Sequence, residues 1–224
     1  MTVPSPKLLG EEEAIRRTVF DGAVVMVGGF GLVGKPLTLV SALNASPFTD
    51  LTIISNNLGE PGKYLGRTLL LGKIRRAIGS YFTTNPDAVR AHAEGRLAVT
   101  LLPQGTLAEA MRAGGAGLGG FYTPAGVGTL LAEGKEVRVI DGRPYLLEKP
   151  LTADVALVRA HRADRLGNLI YYKTARNFNP LMATAARTVV AEVDEIVEAG
   201  ALDPERIATP HLFVDHLVLA KERL

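Results

Sequence analysis

The sequence predicts an α/β fold: an open, mainly parallel sheet flanked by helices, with a smaller β-rich lobe. Two observations carry that prediction. Short apolar runs rich in Val, Ile and Leu alternate with segments of helical apolar spacing through the first half of the chain, as a parallel sheet with crossover helices requires. Glycine, proline or asparagine closes several of those runs, at positions where right-handed crossovers gather strand ends on one edge of the sheet.

The first unit opens with an amphipathic helix over about residues 11–20, a turn at Asp21-Gly22 and the buried strand AVVMV at 23–27. A glycine loop at 28–34 follows, and Pro36 stands where proline favours a helix start, ahead of LTLVSAL. The strand LTIIS, 51–55, ends in Asn56-Asn57. IRRAIGSYF and LAVTLL repeat the unit with NPDAVRAHAEG and TLAEAMRAG as helices, and Pro103-Gln104-Gly105 closes the last of these strands. Residues 114–128, GGAGLGGFYTPAGVG, carry too many glycines for a helix or long strand and read as a loop of close-packed backbone. EVRVI and RPYLLE flank Asp141-Gly142, a hairpin signal, and ADVALVRA is a further strand. The remainder adds strands and one short helix. No linker or internal repeat divides the chain, so residues 1–224 are expected to form a single domain.

Composition narrows the function. The 224 residues are 47% hydrophobic, enough for a substantial core. The 25 basic and 23 acidic residues are interspersed, which excludes a basic stripe for nucleic acid. Without cysteine there are no disulfides, thiolate zinc sites or thiol nucleophiles, and the four histidines form no metal-ligand pair, so no metal is expected. The N-terminus lacks the basic start and apolar run of a signal peptide, and no apolar stretch approaches the ~20 residues that span a bilayer. A soluble, cytoplasmic protein is expected.

Gly29-Phe30-Gly31-Leu32-Val33-Gly34 fits the G-x-G-x-x-G pattern between a strand and a helix, which raises a dinucleotide-dependent oxidoreductase. That reading needs an acid at the end of the second strand for the ribose. Here LTIIS ends in Asn56-Asn57, and Asp50 precedes the strand. The loop has two other uses: its bare N–H groups at a helix start can attract carbonyl or anionic oxygens, or its glycines can serve tight strand–helix packing.

DGAVVMVGGFGLVGKP, residues 21–36, resembles the first signature of the family I CoA-transferases. LTIISNN, LLPQGTLAEAMRAGGAG, FYTPAGVGT and LGNLIYYKTARNFNPLMATAA look like the corresponding blocks of the A subunit of 3-oxoacid CoA-transferases, in order, so the resemblance covers nearly the whole chain. It implies the NagB/RpiA-like CoA-transferase fold and a ping-pong transfer of CoA from succinyl-CoA to acetoacetate or a similar 3-oxoacid through a glutamyl-CoA thioester. A CoA thioester is then a substrate, and no permanently bound cofactor is expected. The nucleophilic glutamate would lie on a partner, the B subunit, in a Glu-Asn-Gly context that this chain lacks, within a hetero-oligomer of A2B2 type. Gln104, between a strand and a helix, suits either a helix cap or an oxyanion donor, and the resemblance places it in the oxyanion hole; substrate or CoA binding is expected at Gly28, Gly29, Phe30, Gly31, Gly34 and Gly105, while Asn56 and Asn57 suit either substrate orientation or a turn. Glu60 is the loop acid that competes for the nucleophile's role, residues 173–179 suit CoA or the subunit interface, and Phe121 and Tyr122 suit the acyl pocket or packing. A 3-oxoadipate or acetate/butyrate CoA-transferase shares all these motifs.

Overall fold

The computed structural model describes residues 7–221; the reading of the N-terminus falls in part on residues 1–6, outside the described residues. In chain order the elements are α1 (Glu11–Thr18), β1 (Val24–Val27), α2 (Leu37–Ala45), β2 (Leu51–Ile54), α3 (Leu65–Leu70), β3 (Ile74–Gly79), α4 (Pro86–Ala93), β4 (Ala98–Leu101) and α5 (Gln104–Gly115). There follow β5 (Phe121–Thr123), β6 (Val137–Ile140), β7 (Arg143–Glu148), β8 (Ala153–Asp164), β9 (Leu169–Ile170), α6 (Asn179–Ala185), β10 (Ala186–Val197) and β11 (His216–Leu219).

The main sheet runs β11-β10-β8-β1-β2-β3-β4 with every neighbouring pair parallel, and β9 pairs antiparallel with β8. Both faces are covered, which is why the central strands read as continuous apolar runs. Side chains alternate across β1: Val25 and Val27 join a core with α1 to α4, through residues such as Ile15, Leu43, Leu65 and Ala91, while Met26 joins Leu107 and Met111 of α5 and Met182 of α6. The smaller lobe is the antiparallel sheet β5-β7-β6. Asp141 and Gly142 turn its hairpin with φ of 49° and 75°, the two positive values that a type I′ turn requires.

The glycine-rich stretch departs from expectation. Residues 114–128 are not all loop: Gly114 and Gly115 close α5, and Phe121–Thr123 is a strand on β7. The glycines serve close approach, since a Cβ on Gly114 would lie 2.0 Å from the Leu151 carbonyl oxygen and one on Gly115 2.3 Å from Thr184 Oγ1 of α6. Two helices pack there at a distance that only a missing side chain allows.

Strand order reverses at β1. The chain first moves outward through β2, β3 and β4, then returns to the other side of β1 through β8, β10 and β11. In such sheets the crevice beyond the strand ends at the reversal is the natural ligand position. The helix that starts there, α2, has no acid in its first turn and no capping side chain of its own. Glu192 of β10 supplies both, accepting the Leu39 N–H at 3.0 Å while pairing with Arg159, which also pairs with Asp194. Burial pushes the Glu192 carboxyl up, opposed by the Leu39 N–H and Arg159.

Candidate active site

A cavity of about 530 Å³ lies beyond the C-terminal ends of β1 to β4. The β1 loop contributes Phe30, Gly31 and Leu32, the β2 end contributes Asn56, Asn57, Gly59 and Glu60, the β3 end contributes Ser80 and Tyr81, and α5 contributes Gln104. Phe30 and Tyr81 are half-exposed, so the rim is apolar while the floor carries amides and a hydroxyl.

The amides form a directed relay. Gly59 N–H donates to Asn57 Oδ1 at 2.8 Å, Asn57 Nδ2 donates to Asn56 Oδ1 at 3.0 Å, and Asn56 Nδ2 donates to Gln104 Oε1 at 3.0 Å. Each carbonyl oxygen in the relay accepts from its neighbour, which leaves the Gln104 amide nitrogen as the terminal donor. Gln104 is the first residue of the twelve-residue α5, so the positive end of the helix dipole reinforces that donor. Ser80 Oγ is buried at the same wall without a hydrogen-bond partner among the described residues. A developing negative charge on a carbonyl oxygen is what such donors stabilise.

The glycine loop is held mostly by the chain itself. Gly28 N–H donates to the Leu157 carbonyl at 3.0 Å, Gly29 N–H to Asn177 Oδ1 at 3.2 Å, and Phe30 and Val33 exchange backbone bonds. Asn177 Nδ2 reaches the Val33 carbonyl and Asn179 Nδ2 the Gly34 carbonyl, each at 3.0 Å. A Cβ on Gly28 would fall 1.8 Å from Asn179 Oδ1, and one on Gly34 2.2 Å from the Ala175 carbonyl oxygen. The 173–179 segment therefore fills the room left by Gly28 and by Gly34, the last glycine of the fingerprint, while Lys35 packs against Gly29. At Gly31, with φ of 59°, a Cβ would meet nothing, and this tip faces the cavity.

Of the residues singled out from the sequence, Phe30, Gly31, Asn56, Asn57 and Gln104 meet at the cavity, and Gly28, Gly29, Gly34 and Gly105 are not on its wall. Glu60 is on the wall, half-exposed and 3.2 Å from Lys63 Nζ. Phe121 and Tyr122 lie on β5 in the small sheet, Tyr122 donating to Glu136 at 2.5 Å. Ser80 and Tyr81 went unread. Their position just past a strand was the available signal, but IRRAIGSYF reads as a strand through residue 82. It stops at Gly79 because the N–H groups of Ser80 and Tyr81 both turn to the Asn56 carbonyl at 3.2 Å.

Residues 11–220 match the family model described as Coenzyme A transferase. The chain is 52% identical over 206 residues to the A subunit of the succinyl-CoA:3-ketoacid coenzyme A transferase of Xanthomonas campestris pv. campestris (strain B100), covering 92% of this chain and 85% of that protein. It is 50% identical over 202 residues to the alpha subunit of the acetate CoA-transferase of Escherichia coli (strain K12), covering 90% and 92%. Its fold matches that of the acyl-CoA transferase YdiF apoenzyme from Escherichia coli O157:H7 with a TM-score of 0.85 at 22% identity, over 96% of this chain and 47% of that one. The chain thus spans about half the length of that solved protein. With the family model matched along almost all of its length, the chain belongs to the coenzyme A transferase family.

Proposed function

We propose that the chain is the A subunit of a 3-oxoacid CoA-transferase, moving CoA from succinyl-CoA to acetoacetate or a similar 3-oxoacid together with a partner B subunit, as an A2B2 assembly in the cytoplasm. The observation that carries this reading is an imbalance in the cavity. Among the described residues it has a relay of amides ending in a free donor and a hydroxyl without a hydrogen-bond partner, but the one carboxylate that lines it, Glu60, is half-exposed and bridged to Lys63. Such a wall stabilises an acyl group under attack without providing a built nucleophile.

In this account a glutamate carried by the partner chain attacks the thioester carbonyl of the acyl-CoA. The carbonyl oxygen gains negative charge, received by Gln104 Nε2, and CoA thiolate departs, leaving an acyl-glutamyl anhydride. The thiolate then attacks the glutamyl carbonyl and expels the carboxylic acid as its anion, giving glutamyl-CoA. The second half runs the same steps in reverse with the acceptor carboxylate. Asn56 acts by aiming Gln104, and Gly28, Gly29 and Gly34 act through the shape of the loop that carries Phe30 and Gly31.

The test is to purify the chain with and without its candidate partner and follow acetoacetyl-CoA formation from succinyl-CoA and acetoacetate. Transfer is expected only from the mixture, and transfer by the chain alone would refute the division of labour. An acetate or 3-oxoadipate specificity would use the same cavity residues, and the same assay with those acids separates the readings.

A further inference from the structure

Lys35 leaves the glycine loop directly after Gly34, and its side chain is wholly enclosed, at 0% exposure. Its amine stands 3.3 Å from Ser55 Oγ, and that hydroxyl donates to the Val27 carbonyl at 2.9 Å. Val27 enters the loop, Lys35 exits it, and Ser55 leads from β2 into the Asn56-Asn57 pair. Two hydrogen bonds in series, from the amine to Ser55 and from Ser55 to Val27, therefore join three segments that turn into the cavity wall. At the near end of the side chain the loop packs hard on the same residue: a Cβ on Gly29 would lie 2.9 Å from Lys35 Cα.

An ammonium ion in this place needs a counter-charge. The strands β1 and β2, the helix α2 and the loop at 28–34 contain no charged residue. From β10, Glu192 reaches α2 but bonds to Leu39 N–H and to Arg159 of β8, which also pairs with Asp194, as does His161. On β3, Arg75 turns to Asp50 and Arg76 to Thr100, and Arg67 of α3 is exposed. Among the described residues no carboxylate lies within ion-pair distance of Lys35. Burial accordingly holds the amine down at about 7.

We propose that Lys35 is a positioning residue for the cavity wall: uncharged, it holds the exit of the glycine loop to Ser55 at the end of β2 and so keeps Phe30, Gly31 and Leu32 in place, whereas a protonated, unpaired ammonium regains hydration only by leaving this enclosure, which opens the clamp. A lysine at this point does what a buried aliphatic side chain cannot, because its amine reaches a hydroxyl and its charge state makes the contact conditional.

Two measurements test this, one of which rests on the transferase reading. In the assembled enzyme, kcat/KM is expected to fall about tenfold per pH unit below about pH 7, as for one proton, and Lys35→Met is expected to lack that limb. In the chain itself, amide hydrogen exchange at residues 28–35, corrected for intrinsic rate, is expected to rise roughly tenfold between about pH 8 and about pH 6. An acid limb that survives in Lys35→Met with the same midpoint, or wild-type exchange that is equal at the two pH values, overturns the proposal. Absence of CoA transfer in the wild-type assembly counts against the transferase reading instead, and the exchange measurement then decides alone.

Discussion

Gln104 carries the charge argument, because its carbonyl is occupied by Asn56 and its amide nitrogen is left to face the cavity. Gln104→Ala in the assembled enzyme is expected to lower kcat by roughly 10²–10³, the usual loss for one oxyanion donor; a loss under about tenfold in steady-state assays removes it from the mechanism. Ser80 has a buried hydroxyl without a partner among the described residues. Ser80→Ala should raise KM by about 2- to 12-fold, equivalent to one net hydrogen bond of ~0.5–1.5 kcal/mol, while thermal stability without substrate stays level or rises. Lys35 makes a separate pH prediction. Its folded-state value of about 7 is depressed from 10.5, so between those values the unfolded chain binds the extra proton and stability rises with pH. The penalty is complete below about 7, on the order of 5 kcal/mol. Lys35→Met should therefore raise Tm most at about pH 7 and below, with the gap closing toward about pH 10.5, as calorimetry across pH will measure.

At the scale of elements, the sequence was readable where periodicity and turn chemistry agree. The β1–loop–α2 unit, the Asp141-Gly142 hairpin and the strand ends at Asn56 and Gln104 were visible because apolar runs stop at residues with distinct backbone needs. What stayed hidden depends on distant partners. Asn177 and Asn179 fill the space left by Gly28 and Gly34 from about 150 positions away, and the burial of Lys35, between a glycine and a proline, depends on Ser55 of another strand. Strand β8 runs on to Asp164, beyond the ADVALVRA run, because β10 pairs with it along its whole length. The same pair of strands holds the α2 start through Glu192. Glu192→Ala is expected to cost about 3–5 kcal/mol by leaving Arg159 buried with one partner fewer, measurable by urea denaturation; a change below about 1 kcal/mol would show that the cap contributes little.

Across the whole molecule, reversal of strand order at β1 gathers the loop tip, the asparagine pair, Ser80 and Gln104 at one sheet edge, and the reversed half, β8 and β10, braces that edge from behind. The result is a wall of hydrogen-bond donors, and the proposed mechanism takes its attacking group from another polypeptide. The direct test is to incubate the assembled enzyme with an acyl-CoA, trap the covalent intermediate by borohydride reduction and map the modified residue by mass spectrometry. The account predicts the modification on a glutamate of the partner chain, with this chain unmodified. Modification of a carboxylate in this chain, Glu60 first among them, would contradict it.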